Sequence, residues 1–156
     1  MGLMDAPEYD PEPAQRRKRL IIIVAVSLIA IVALYFSFRY WPEKRTVNNF
    51  FEAIEQKDFE KAYGIYNADP SWKQHPQQFT YTYNQFYLDW GPAGEYGIIG
   101  SHHIDCATEP RKSGFQSATG IIVVVTVNKN PVTRIMWVEK KNKELHISPM
   151  YAECRQ

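Results

Sequence analysis

Leu20–Phe38 reads LIIIVAVSLIAIVALYFSF, 19 consecutive residues without a charge. Ser27 and Ser37 are its notably polar members. As a helix rising 1.5 Å per residue, such a run is about 28 Å long, close to the ~30 Å hydrocarbon core of a bilayer. A helix buried in a soluble domain carries a polar face, and this one has none. The run is too long for the apolar part of a signal peptide. Its exit side, Tyr35-Phe36-Ser37-Phe38-Arg39-Tyr40-Trp41, lacks the small-x-small pattern of a cleavage site. The expectation is therefore one uncleaved transmembrane helix at 20–38.

The flanks set its direction. Arg16-Arg17-Lys18-Arg19 stands directly before the run, whereas Arg39, Lys44 and Arg45 beyond it are dispersed and accompanied by Glu43. Positive charge collects on the cytoplasmic side, so the N-terminus is expected in the cytoplasm and the C-terminal body outside, in the periplasm, with the helix in a bacterial inner membrane. Tyr40 and Trp41 fall at the outer interface. Residues 1–19, acidic and proline-containing before the basic cluster, read as a disordered tail. Met1–Ala6 begins like a myristoylation site, but Ala6 stands where Ser or Thr is needed. Residues 39–45 read as a juxtamembrane linker, 46–150 as one domain and 151–156 as a C-terminal tail.

From Pro42 onward the chain carries 13 Lys or Arg and 13 Asp or Glu, a balance that gives nucleic acid no electrostatic footing. That body is large enough to bury a core unaided. Val47, Phe50, Phe51 and Ile54 recur at helical spacing within Thr46–Gln56. Lys57-Asp58 breaks the pattern, and Asp58 caps a second helix with Phe59, Ala62, Tyr63 and Tyr66 on one face. A proline-bracketed loop, Asp69–Pro76, precedes a third helix expected over Gln77–Trp90 and stopped by Gly91-Pro92.

The period then changes to two. Strands are expected at Tyr96–Thr108, Phe115–Asn128, Val132–Lys140 and Glu144–Ser148, separated by turns at Glu109–Gly114, Asn128–Pro131 and Lys141–Lys143. Ile121-Ile122-Val123-Val124-Val125 is apolar on both faces and belongs mid-sheet. Three helices followed by an antiparallel meander make an α+β plan, with the helices on one face of a curved four-stranded sheet.

That order of elements resembles the nuclear-transport-factor-2-like superfamily, a cone of helices wrapped by a bent sheet. The local match is Val47-Asn48-Asn49-Phe50-Phe51-Glu52-Ala53-Ile54 followed by Asp58-Phe59-Glu60-Lys61-Ala62-Tyr63, similar to that superfamily's opening helix pair. The resemblance spans Thr46–Ser148 and implies a pocket between helices and sheet. It implies no single function, since such domains serve as enzymes, transport adaptors and assembly factors. The bitopic layout also resembles the inner-membrane assembly component of type IV secretion systems.

His102-His103-Ile104-Asp105-Cys106 is the most reactive-looking stretch. On a regular strand His103 and Asp105 share one face, and His102, Ile104 and Cys106 the other. His103 with Asp105 is the one candidate acid–base pair, against the plainer reading of neighbours on a wet face. Adjacent histidines face oppositely and no Cys-x-x-Cys occurs, so no metal site is expected. No nucleotide-binding loop, nucleophile motif or haem motif appears, and no cofactor is expected. Phe79, Tyr83, Phe86, Tyr87 and Trp90 form a stripe that either packs the core or lines a ligand pocket. Cys106 and Cys154, the two cysteines, are candidates for a disulfide closing a loop of about 50 residues. Trp72 reads as a lid folded back on the core. Lys140-Lys141-Asn142-Lys143 is a solvated basic turn unless it faces the membrane.

These observations lead to an expected role: a non-enzymatic, membrane-tethered domain that binds a protein or small ligand in the envelope, in complex assembly with other envelope proteins. The alternative is an isomerase- or dehydratase-like enzyme using His103 and Asp105. A homodimer is compatible with the chain, although Ala25, Ala30 and Ala33 form no convincing small-residue seam.

Overall fold

A computed structural model describes residues 12–110, 119–128, 132–148 and 154. The expectations for residues 1–11, for the later part of the 109–114 turn, for 115–118, for the turn residues 129–131 and for the tail apart from Cys154 lie outside these. The chain divides between Arg39 and Tyr40 into two compact units.

The first unit is the helix α1, Glu12–Phe38. It starts earlier than the apolar run, so residues 12–19 are helical where a disordered tail was expected. Pro13 falls in its first turn, where a missing N–H is harmless, and Gln15–Arg19 are good helix formers. None of its most apolar stretch is buried within the protein. From Leu20 to Phe38 the large apolar side chains are 52–69% exposed. Among the described residues it is the one helix long and apolar enough to cross a membrane. Ser37 meets the needs of such a setting by donating its hydroxyl to the Ala33 carbonyl at 2.9 Å.

The second unit is α+β. Three helices, α2 (Trp41–Glu55), α3 (Phe59–Tyr66) and α4 (Tyr83–Trp90), precede four strands, β1 (His102–Thr108), β2 (Gly120–Val127), β3 (Val132–Glu139) and β4 (Leu145–Ile147). The strands pair antiparallel in the order β1-β2-β3-β4.

α2 begins five residues before its expected start, so most of the supposed linker is its first turn. Pro42 sits there comfortably. The extension puts Glu43 four residues ahead of Val47, on the buried stripe, where it is 6% exposed. Its Oε1 accepts from Lys143 Nζ at 2.6 Å, tying the start of α2 to the β3–β4 turn. Its Oε2 has no partner among the described residues.

α2 ends with Lys57 in the left-handed region at φ 60°. Lys57 N–H donates to the Ile54 carbonyl and Asp58 N–H to the Ala53 carbonyl, both at 2.9 Å, which closes the helix. Asp58 at once caps α3 by accepting from Lys61 N–H at 3.1 Å.

α4 is shorter than expected at its start. A turn of 3-10 helix, Pro76–Gln78, followed by extended backbone at Phe79, replaces its front, and a second such turn, Trp72–Gln74, lies in the preceding loop. The helix begins after Thr82 because Thr82 and Gln85 cap one another reciprocally.

The core lies between the three helices and one face of the sheet. Val47, Phe50, Phe51, Ala62, Phe86, Val123, Val125, Met136, Val138 and Leu145 are all fully buried there. β2 is buried on both faces, with Ile122 and Val124 at 1% and 4% exposure. On the face away from the helices, Ile122 lies opposite Trp137 and Thr108, and Val124 opposite Ile135 and Cys106. Gly120 is required beside them, since a Cβ there would meet the Trp137 ring at 2.3 Å.

β1 is shorter than expected and is not regular. Ile104 pairs with Val125 but Cys106 pairs with Val124, so Asp105 is an extra residue, a bulge. Cross-strand partners share a face, so Cys106 stands with Val124 on the outer side while Ala107 returns to the core. The expected grouping of Cys106 with His102 and Ile104 fails for that reason. On the outer side Cys106 is bonded to Cys154, with their Cα atoms 5.7 Å apart.

The Glu43–Lys143 pair predicts an asymmetry. Lys143→Ala strands a buried carboxylate and should cost about 2 kcal/mol, whereas Glu43→Leu continues the apolar stripe of α2 and should cost under about 1 kcal/mol. Urea unfolding of the full chain in detergent micelles, followed by near-ultraviolet circular dichroism, reads both. Equal losses would show that the carboxylate is not what the lysine serves.

Candidate functional site

Of the five aromatic residues expected to pack or to line a pocket, Phe79, Tyr83, Phe86 and Trp90 are packed. Phe86 and Trp90 are buried, and Trp90 meets Phe50 edge-on at 5.0 Å. Phe79 and Tyr83 pack edge-on against Tyr63 at 6.0 and 5.5 Å. Tyr87 turns outward, 44% exposed, with its ring edge against Phe59. Tyr63, whose ring is central to this group, donates its hydroxyl to the Tyr81 carbonyl at 2.6 Å. Burial pushes the Tyr63 and Tyr66 phenols up, Tyr66 to about 12, where the carboxylates of Glu144 and Asp89 add to the effect.

The histidine pair is divided by the sheet. His103 and Asp105 are exposed. Asp105 accepts from Thr126 Oγ1 at 2.8 Å. His102 is the buried member, its side chain 8% exposed. Its Nδ1 lies 2.6 Å from Glu55 Oε1 and its Nε2 3.0 Å from Asn48 Oδ1, while its ring stacks on Phe51 at 5.3 Å. Asn48 in turn donates to Glu52 Oε1 at 2.6 Å. His102 thus joins the start of β1 to three side chains of α2. Its inward direction was readable from Ile104, which shares its parity and is apolar. Among the described residues no group of three or more His, Cys, Asp or Glu is placed to hold a metal ion.

A groove of about 720 Å³ lies elsewhere, on the flank of the helices away from the aromatic core. It is lined by Thr46 and Asn49 of α2, Lys61 and Ile65 of α3, and Trp72 and Asn142. None of the five stripe residues lines it. It departs from the expected pocket between helices and sheet because large rings fill that space.

The groove owes its shape to the Asp69–Pro76 loop. Gly64 lets this loop lie on α3, since a Cβ there would stand 3.1 Å from the Asp69 carbonyl oxygen and 3.3 Å from the Trp72 ring. Trp72 folds back as a lid, edge-on to Tyr63 at 4.8 Å and stacked on Tyr83 at 5.1 Å. Its indole N–H donates to the Glu60 carbonyl at 3.1 Å. Lys73 pairs with the Glu60 carboxylate.

Asp69 is the hub of the loop. Its Oδ1 accepts from both the backbone N–H and the hydroxyl of Ser71 at 2.9 Å, and its Oδ2 meets His75 Nε2. Partial loss of water is the largest single influence and pushes this carboxyl up. The bonds from Ser71 and the proximity of His75 together outweigh it and hold the carboxyl below its ordinary 3.8. The groove therefore presents the Trp72 ring, the amides of Asn49 and Asn142, the ammonium groups of Lys61, Lys73 and Lys143 and the carboxylates of Asp58 and Glu60 on a braced frame. Compared with family models, curated proteins and solved structures, the chain matches none.

Two measurements test these assignments. His102→Ala should destabilise the domain by about 2–3 kcal/mol in urea, through a lost stack and unsatisfied partners, while the neighbouring His103→Ala should stay within about 0.5 kcal/mol. Because the Asp69 carboxyl is lowered in the folded state, the order it confers is present above pH 3.8 and disappears as pH falls through its lower native value. Protection of the 71–75 amides, taken relative to the intrinsic exchange rate at each pH, should therefore fall on acidification in that range, and Asp69→Asn should show low protection at neutral pH already.

Proposed function

We propose that this chain is a single-pass membrane protein that holds a non-enzymatic recognition domain in the cell envelope, and that the groove beneath Trp72 is where it binds. The groove carries the reading: a concave site of about 720 Å³ whose wall is fixed by packing and hydrogen bonds before any ligand arrives. A preorganised wall loses little entropy on binding.

The compartment follows from three supports. The exposed apolar surface of α1 needs a lipid environment. Arg16–Arg19 favour a cytoplasmic N-terminus. The Cys106–Cys154 bond suits an oxidising compartment such as the periplasm of a bacterium, beyond the inner membrane. Tethering keeps the domain at high effective concentration for neighbours in the same membrane, which fits assembly with other envelope proteins. The run of three helices into a four-stranded meander supports kinship with the nuclear-transport-factor-2-like superfamily.

Crosslinking in native membranes tests the groove. A specific adduct of the wild-type chain should fall about tenfold, a 1.4 kcal/mol loss, when Asn49→Trp fills the groove. It should be unchanged by His103→Ala on the far face of the sheet. An adduct indifferent to Asn49→Trp removes the groove from the binding surface.

A further inference from the structure

The Glu43–Lys143 contact locates the basic β3–β4 turn. Glu43 lies five residues after Phe38, the last residue of the apolar helix. Even fully extended, that stretch covers no more than about 18 Å, so Glu43 stays near the end of the apolar run whatever angle the two units take. Lys143 reaches it directly. The turn that carries Lys140, Lys141 and Lys143 is therefore held beside the first turn of α2, where the chain enters the domain.

The turn is also held in shape. Lys143 takes φ 65°, and its ammonium donates to the Lys140 carbonyl at 3.0 Å as well as to Glu43. Asn142 Oδ1 accepts from Glu144 N–H at 3.2 Å. Lys141, exposed at the tip, is thereby projected outward.

The first turn of α2 adds to the same end. Trp41 is 49% exposed, and Arg45 lies over its ring at 5.0 Å. An exposed tryptophan with a cation on its face is the combination that settles at a lipid–water interface. The nearby carboxylates are committed inward or to their own neighbours. Glu43 is buried on Lys143 and Glu109 meets Lys140 at 3.4 Å, while Glu139 and Glu144 accept from the neutral donors Trp137 and Asn142 and keep their charge, so that five cations, Lys44, Arg45, Lys140, Lys141 and Lys143, stand against four carboxylates. Lys44, Arg45 and Lys141 have no carboxylate partner among the described residues.

We propose that this surface, made of Trp41, Lys44 and Arg45 on α2 and Lys141 on the β3–β4 turn, docks onto the anionic lipid headgroups of the membrane that holds the chain. The inference rests on the membrane-tether reading above and adds that the domain lies down on the bilayer instead of swinging on a free linker. Charge attraction to anionic lipid decays within a Debye length, about 8 Å at physiological salt, and a bound of about 18 Å on the chain lets these groups come within that range. Docking would leave the Trp72 side of the groove at a set height above the bilayer.

The test uses the full chain in lipid nanodiscs containing no other protein, of phosphatidylcholine alone or with about 30% phosphatidylglycerol. The rate of lysine acetylation is read by mass spectrometry at Lys141, with Lys57 as reference. Lys57 follows the far end of α2, roughly 20 Å along the helix. Lys141 should react several-fold more slowly in the anionic discs while Lys57 is unchanged, and about 0.5 M salt should abolish the difference. The double variant Lys44→Glu, Lys141→Glu should lose differential shielding of the tip, read at Lys140, with its disulfide and circular dichroism intact. Equal rates at Lys141 in both discs overturn docking while leaving the tether in place. Shielding seen only in native membranes also overturns it, by making a protein the occupant. A chain that fails to enter the discs defeats the tether reading itself.

Discussion

Phe50 and Phe51, side by side on α2 and both fully buried, hold the helices and the sheet together. Each meets Trp90 of α4 edge-on, at 5.0 and 5.9 Å, and Phe51 also stacks on His102 at the start of β1. α2 consequently touches α3 and three of the four strands. Aromatic rings in edge-to-face contact have narrow geometric tolerance, so these contacts orient as well as attract. Every feature with a functional reading is placed by reference to this helix: the groove runs along its outer flank, the basic turn is tied to its first turn, and the buried histidine is bonded to its last.

The two ends of α2 are finished differently, and that difference organises the domain. The first turn carries a buried carboxylate whose partner comes from 100 residues later in the chain. A long-range ion pair of this kind adds modestly to stability once desolvation is counted, but leaving either member alone at depth is costly. It therefore acts as a register pin between α2 and the β3–β4 turn. The last turn is closed by local backbone bonds and passes straight into the cap of α3. That end is a short-range device, formed by neighbouring residues with little dependence on the rest of the fold.

Much of the plan was legible in the order of residues. The apolar run, the period-3.6 faces of α2 and α3, the cap at Asp58 and the doubly apolar β2 follow from hydrophobic periodicity and turn chemistry. The lid role of Trp72 was readable from its proline-bounded loop. Other features were hidden for identifiable reasons. Glu43 looked like a flanking charge because a carboxylate on an apolar stripe makes sense only when its distant lysine is known. The start of α4 was displaced because Phe79, though aromatic, packs from extended backbone, and Thr82 with Gln85 sets the helix boundary. The bulge at Asp105 left no mark in the alternation, yet one extra residue turned Cys106 to the opposite face and put it where Cys154 meets it.

The candidate site divides along the same line. Local pattern alone determined a charge-free span, a basic flank on its entry side, a balanced body and an α+β order of elements, because each depends on residues within one or two turns of each other. Tertiary structure alone decided that Phe79, Tyr83, Phe86 and Trp90 pack with Tyr63 and Phe50, that His102 meets Glu55 and Asn48, and that the groove opens beside Trp72. Those outcomes depend on which side chains occupy the same volume. Volume is shared between residues tens of positions apart, and no periodicity records it.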